Sequence, residues 1–198
     1  AVTGGPDVAE DHICLTFPWI EINKAGKEVF LRTKSRSIKS KSTQRLEPTG
    51  GRWGMFGMHL VPEDATSIVV TEGEFDAMAV YQATGPPAVS LPAGANCLPV
   101  DLLEKLERFS RIYLWMDDDV VGQQGAQKFA MKLGRERCWS VQTRAGKKDG
   151  PKDANDALRM GVDLKALLGA ARPMPHQEIL SFDSLRDAVY REMANPDQ

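Results

Sequence analysis

Hydrophobic positions along this chain follow two rhythms. Short apolar runs, Ser67-Ile68-Val69-Val70, Arg111-Ile112-Tyr113-Leu114-Trp115-Met116 and the stretch from Arg137 to Gln142, have the length and the β-branched or aromatic content of strands buried in a sheet. Between them residues recur at helical spacing: Phe75, Met78 and Ala79 with Gln82, then apolar Leu102, Leu103, Leu106 and Phe109 within 99–109, then Ala126, Phe129, Ala130 and Leu133 within 121–133. Gly85-Pro86 ends the first of these, because glycine accepts the left-handed cap and proline cannot continue a helix. Strand and helix therefore alternate from residue 66 to about 173, which predicts an α/β fold with a parallel sheet flanked by helices and right-handed crossovers.

The flanks read differently. Residues 1–65 hold short strands, Ile13 to Phe17 and Val29 to Thr33, and a glycine-rich stretch, Gly50-Gly51-Arg52-Trp53-Gly54-Met55-Phe56-Gly57, that predicts tight turns and no helix. They form a small β-rich, basic subdomain. Pro173-Met174-Pro175 marks a break, and residues 174–198 read as a linker whose Leu185, Val189 and Met193 stripe a helix over 182–193. That stripe predicts a partner surface, on this core or on a neighbouring subunit.

The candidate chemistry is acidic and stands at strand ends. Asp117-Asp118-Asp119 follows the run that ends in Met116; with alternating side chains, Asp117 and Asp119 share one face and Asp118 takes the other. Glu72, in Thr71-Glu72-Gly73-Glu74, lies at a second strand-to-helix turn, and Asp153, in Lys152-Asp153-Ala154-Asn155-Asp156, follows a third strand after a longer loop. Each alone reads more readily as a helix N-cap or a solvated surface acid than as part of a site. Together, at the carboxyl ends of strands in one open sheet, they predict convergence on a hard divalent cation, which oxygen ligands suit and which relieves their repulsion.

The 25 basic and 27 acidic residues almost balance, but from Leu31 to Arg45 there are six cations and no acid: Arg32, Lys34, Arg36, Lys39, Lys41 and Arg45. Arg32, Lys34 and Arg36 share a strand face, predicting either a solvated edge strand or a groove for polyphosphate or nucleic-acid backbone. Lys147, Lys148 and Lys152 flank Asp153 and are candidates for phosphate contact or for solvating a long loop. Trp53 and Phe56 pin their loop to the core or stack on a base. Tyr81, Tyr113 and Tyr190 are expected in packed positions, which disfavours an exposed tyrosine nucleophile, and His12, His59 and His176 have no ligand spacing. Three scattered cysteines, Cys14, Cys97 and Cys138, argue for a reducing compartment. With 42% hydrophobic and 26% charged residues and no apolar run of spanning length, the sequence points away from a membrane.

The glutamate in Thr-Glu-Gly-Glu, the later Asp-x-Asp and the Lys-Asp-Ala-Asn together resemble the TOPRIM fold, and specifically the primase half of phage-type primase–helicases. The strings TEGEFDAMAVYQA (71–83), AVSLP (88–92) and RIYLW (111–115) resemble the animal, mitochondrial branch of that group, the Twinkle-type replicative helicases. Vertebrate members lack part of the Asp-x-Asp and Lys-Asp-Ala-Asn acids, which this chain keeps. The resemblance spans roughly residues 13–193 and implies a TOPRIM domain over 66–173, with catalytic acids Glu72, Asp117 and Asp119 and metal ligands Glu72, Asp117, Asp119 and Asp153. The implied cofactor is Mg²⁺ or Mn²⁺. Arg32, Lys34, Arg36, Lys39, Lys41 and Lys152 are the implied nucleotide- and DNA-binding residues. Implied partners are a single-stranded DNA template, ribonucleoside triphosphates, and a helicase domain with neighbouring ring subunits reached through the C-terminal helix. The implied activity is RNA primer synthesis at a mitochondrial location. Neither a targeting segment, nor the N-terminal zinc module of phage-type primases, nor a helicase phosphate-binding loop occurs in the sequence, so an excised primase-like domain is expected. Two alternatives remain open: a non-catalytic single-stranded DNA-binding and assembly module, and a TOPRIM nuclease.

Overall fold

The computed structural model describes residues 13–39, 44–95, 97–144 and 149–175. Three antiparallel strands, β1 (Cys14–Ile22), β2 (Glu28–Ser37) and β3 (Gln44–Glu47), form the N-terminal sheet in the order β1-β2-β3. The first two run longer than their apolar cores suggest. Their connection is a built turn, with Asn23 Oδ1 accepting from the backbone N–H groups of Ala25 and Lys27 at 2.9 and 3.0 Å and Gly26 at φ 70°. Pro18 lies within β1, which is an edge strand and so tolerates a missing donor. As expected, the glycine-rich stretch forms no helix; Gly50 and Gly57 both take positive φ, and a short 3-10 turn, Met58–Leu60, follows.

The second sheet holds β4 (Ser67–Thr71), β5 (Ala88–Ser90), β6 (Arg111–Trp115), β7 (Cys138–Ser140) and β8 (Arg172–Pro173), ordered β5-β4-β6-β7-β8. All pairs are parallel except β7 with β8, a short antiparallel addition that the sequence pattern did not reveal. Helices α1 (Glu74–Thr84), α2 (Val100–Leu106) and α3 (Val120–Leu133) occupy the expected segments. Two further helices, α4 (Ala154–Arg159) and α5 (Leu164–Gly169), are only six residues each, too short for a periodic signal.

Strand parity sorts the core into two layers. Ile68, Val70, Ile112 and Leu114 pack against Leu102, Leu106, Ala126, Phe129 and Leu133 of α2 and α3, whereas Val69 and Trp115 pack with Ala77, Val80, Ala157 and Leu164 of α1, α4 and α5. Both faces are covered, which is why the strands read as continuous apolar runs. Each fully buried large side chain contributes about 1.5–3 kcal/mol of transfer free energy. The chain leaves β4 for β5 on one side and then crosses to β6 on the other, so the order of winding reverses between β4 and β6. In an open α/β sheet that reversal opens a crevice at the carboxyl ends of the two strands. Tyr81 departs from expectation: it is 55% exposed on α1, because its position falls outside the stripe set by Ala77 and Val80. Tyr113 is half-buried, while Tyr190, His12, His176 and the helix expected over 182–193 lie outside the described residues.

Candidate functional site: an acidic crest at the strand switch point

Glu72 directly follows β4 and Asp117 lies just after β6, on either side of the winding reversal. The two are joined: the Asp117 backbone N–H donates to Glu72 Oε1 at 3.0 Å. Thr71 Oγ1 shapes the turn below Glu72 by donating to the Gly73 carbonyl at 3.0 Å. Asp119 caps α3, its carboxylate accepting from Gly122 N at 2.9 Å, and Asp153 caps α4, accepting from Asp156 N at 2.7 Å. The capping reading and the site reading thus hold for the same residues. Lys152 spans the acid pair, its Nζ forming ion pairs with Asp117 Oδ2 and, at 3.4 Å, with Asp119 Oδ2. Asp118 turns away as strand alternation requires and accepts from Arg144 N at 2.8 Å. Gly122 is the residue that permits this assembly. A Cβ there would stand 2.2 Å from the Asp117 carbonyl oxygen and 2.8 Å from Glu72 Oε1.

The electrostatics follow from burial and crowding. Glu72 is held above the usual carboxylate range by burial and by the neighbouring Asp117 charge. Asp117 is also raised, by burial, despite Lys152. Asp119 is lowered, first by the Gly122 N–H and then by Lys152, and Lys152 itself is pushed up to about 12 by its bond to Asp117. Sequence reasoning missed one member of the group. Asp76, in the first turn of α1, is buried, accepts from Asn155 N at 3.0 Å and shares a carboxyl–carboxyl hydrogen bond with Asp153. Burial, then the charges of Asp153 and Asp117, push it up to about 7. The signal was available: Asp76 lies four residues after Glu72, one helical turn from the strand end, so its side chain faces back toward that end.

The basic stretch behaves otherwise. Arg32 is only 5% exposed and lies between Trp19 and Trp53, its guanidinium 5.8 and 5.5 Å from their ring centroids, donating to the carbonyls of Gly51 at 3.3 Å and Leu46 at 3.4 Å. Lys34 pairs at 2.9 Å with Glu74, which is 1% exposed, and Arg36 lies over the Phe75 ring at 5.6 Å. On the face predicted for these three, Lys34 and Arg36 dock the N-terminal sheet onto the start of α1, whereas Arg32 packs within the N-terminal subdomain. Arg32 and Lys34 thus have intramolecular partners, two carbonyls and two tryptophan rings for the first and Glu74 for the second. Arg45 pairs with Glu47 at 3.5 Å on the surface, Lys39 is exposed beyond the end of β2, and Lys41, Lys147 and Lys148 lie outside the described residues. Trp53 and Phe56 pin their loop: Trp53 packs on Trp19 at 6.1 Å, and Phe56 meets Phe17 edge-on at 5.6 Å.

The Toprim-like family matches residues 69–158, the interval that carries every acid of the crest. Over that interval the chain carries a Toprim-like domain, similar to that of a phage helicase/primase. Over 150 residues it is 30% identical to the chloroplastic/mitochondrial Twinkle homolog of Arabidopsis thaliana, covering 64% of this chain and 21% of that protein. Over 177 residues it is 30% identical to the DNA helicase/primase of Enterobacteria phage T3, covering 84% of this chain and 28% of that one. The chain thus spans less than a third of the length of either relative. The fold superposes on the primase fragment of the bacteriophage T7 primase–helicase with a TM-score of 0.66 and 23% identity, over 82% of this chain and 64% of that one. The Twinkle-type relative is a plant protein, whereas the motif strings pointed to the animal branch.

Toprim folds generally bind divalent metal ions, and the donor chemistry here fits one. Glu72, Asp117, Asp119 and Asp153 offer hard oxygen ligands, and two of them, Glu72 and Asp117, hold their protons more tightly than free carboxylates because burial and like charge outweigh the relief from Lys152 and from backbone N–H groups. Among the described residues, however, no three ligand side chains stand close enough to form a finished ion cage, and an ammonium rather than a metal bridges Asp117 and Asp119.

Proposed function

We propose that this Toprim domain synthesises short RNA primers on single-stranded DNA, with Mg²⁺ or Mn²⁺ as cofactor. The observation that carries this reading is the hydrogen-bonded Glu72–Asp117 pair at the switch point, with Asp119, Asp153 and Asp76 around it, in a fold whose likeness to the phage primase fragment extends over both sheets. Glu72, Asp117 and Asp119, with Asp153, are the residues that would hold the cation. A divalent cation, when bound there, supplies charge neutralisation on a triphosphate and lowers the pKa of an attacking hydroxyl. Glu72, with its raised pKa, is suited to take up the hydroxyl proton as general base, and Asp119, with its lowered one, to remain ionised. Asp118 and Asn155 keep the Lys152–Asp153 segment against the crest through backbone hydrogen bonds.

Ribonucleoside triphosphates and a single-stranded template are the substrates of this reading. Residues 1–65 serve as a docking subdomain, 66–173 as the catalytic domain, and 174–198 as a connection toward a helicase domain and neighbouring ring subunits. Organellar DNA replication is the proposed setting, and the mitochondrion the proposed compartment, on the strength of the Twinkle-type similarity. The test is incubation of the protein with a single-stranded template, labelled ribonucleotides and Mg²⁺. Short oligoribonucleotides that vanish in Asp117→Asn plus Asp119→Asn support synthesis. One observation favours a second reading, a non-catalytic DNA-binding and assembly module: the bridge from Lys152 leaves the acids without a finished cage. Tight single-strand binding without product establishes that module instead, and metal-dependent nicking of a DNA circle establishes a nuclease.

A further inference from the structure

Lys152 stands where a cation of another kind is expected. Its ammonium pairs with Asp117 and reaches Asp119 at 3.4 Å, so one positive charge sits between two carboxylates, the first of them half-buried. The segment that carries it is fastened to the crest by the acid that the crest does not use. Asp118 N donates to the Lys152 carbonyl at 2.8 Å, Asp118 Oδ2 accepts from Arg144 N at 2.8 Å, and Arg144 Nε donates to the Gly150 carbonyl at 3.3 Å. The three consecutive aspartates thus divide the work: the outer two take the ammonium, and the middle one clamps the backbone that delivers it. The clamp fixes the main chain only. The Lys152 side chain is 44% exposed, and a lysine is a compact charge on a flexible four-carbon stem that leaves one partner for another without moving its backbone.

We propose that Lys152 is the resident counter-ion of the Asp117–Asp119 pair in the metal-free protein. It occupies the space that a divalent cation takes, leaves when one binds, and so sets the affinity of the site. This rests on the reading of the crest as a cation site. It fits the lack of a ready-made three-acid cage among the described residues, since a monovalent bridge between two acids gives Glu72 and Asp153 no reason to close in. Asp118 is then a positioning residue that acts through Lys152.

The test combines calorimetric titration with Mn²⁺ and thermal unfolding in EDTA, on the parent, Lys152→Met, Lys152→Arg and Lys128→Met. Lys128 is exposed on α3, nine residues beyond Asp119 and so about 13 Å along the helix. Lys152→Met is expected to bind Mn²⁺ at least tenfold more tightly than the parent while melting at a lower temperature without metal. Lys152→Arg restores both values toward the parent, and Lys128→Met changes affinity by less than twofold. A merely structural lysine lowers stability without raising affinity, and a diffuse charge effect is matched by Lys128→Met; either result overturns the proposal. Equal affinity in parent and Lys152→Met overturns it while leaving the cation site standing. Failure of both to bind Mn²⁺ removes the cation reading itself.

Discussion

The two sheets of this protein carry opposite charges to opposite ends. On the parallel sheet, acids stand beyond the strand termini, where Asp119 and Asp153 cap helices while Glu72 and Asp117, with raised pKa values, crowd against them around one lysine. On the antiparallel sheet, cations stand within a strand, and Arg32, Lys34 and Arg36 each find a partner inside the molecule. Charges at the strand ends keep open faces beside their caps; charges placed on a face that other residues cover are consumed in holding it there. The contrast predicts that substitutions in the basic strand change stability and those in the acidic crest change metal binding.

The sharpest break is at Lys34. Lys34→Met leaves Glu74 buried and unpaired, and chemical denaturation should show a loss of about 3–5 kcal/mol, most of it recovered when Glu74→Gln is added. Gly122→Ala is next. Its methyl group meets backbone at 2.2 Å, so α3 must shift, with a loss of about 3 kcal/mol and of Mn²⁺ binding together, measured by denaturation and calorimetry. Arg32→Ala removes stacking on two tryptophans and two hydrogen bonds, about 2 kcal/mol, yet the salt dependence of single-stranded DNA binding should keep its slope. A slope reduced by about 0.7 would return Arg32 to the phosphate-binding role that its sequence suggested.

The smallest effect is the pH dependence from Asp76. Its folded pKa of about 7 lies above the ordinary 3.8, so below pH 4 both states are protonated and nothing is lost. Between about pH 4 and 7 the unfolded chain releases a proton that the fold retains, and stability falls; above 7 the penalty is constant. Asp76→Asn in EDTA should therefore gain on the order of 1–2 kcal/mol on the parent at pH 8 and close to nothing at pH 4, read as melting temperature against pH.

How much of this was legible beforehand follows the same contrast. The acids were readable because parallel strands advertise their ends: an apolar run stops, a helix begins, and the intervening residues lie at the crevice whatever else the chain does. Asp76 escaped because it sits one helical turn inside α1, where a first-turn acid has a dipole-based explanation of its own. The alternation Arg32, Lys34, Arg36 suggested a common face but not what that face looks at; for Lys34 and Arg36 the docking of α1, a contact about 40 residues away in sequence, decides between solvent and partner. The helices α4 and α5 and the two-residue β8 are too short for periodicity to register, and tertiary packing alone fixes them.

The central claim is that the strand-end acids form one cation site. Counting bound Mn²⁺ by electron paramagnetic resonance, in the parent and in Asp117→Asn plus Asp119→Asn, tests it most directly, because asparagine keeps the α3 cap and the side-chain volume while removing both charges. Affinity weakened on the order of 100-fold, with the melting temperature of the metal-free protein changed little, is the predicted result. Unchanged Mn²⁺ binding in the double variant would contradict it.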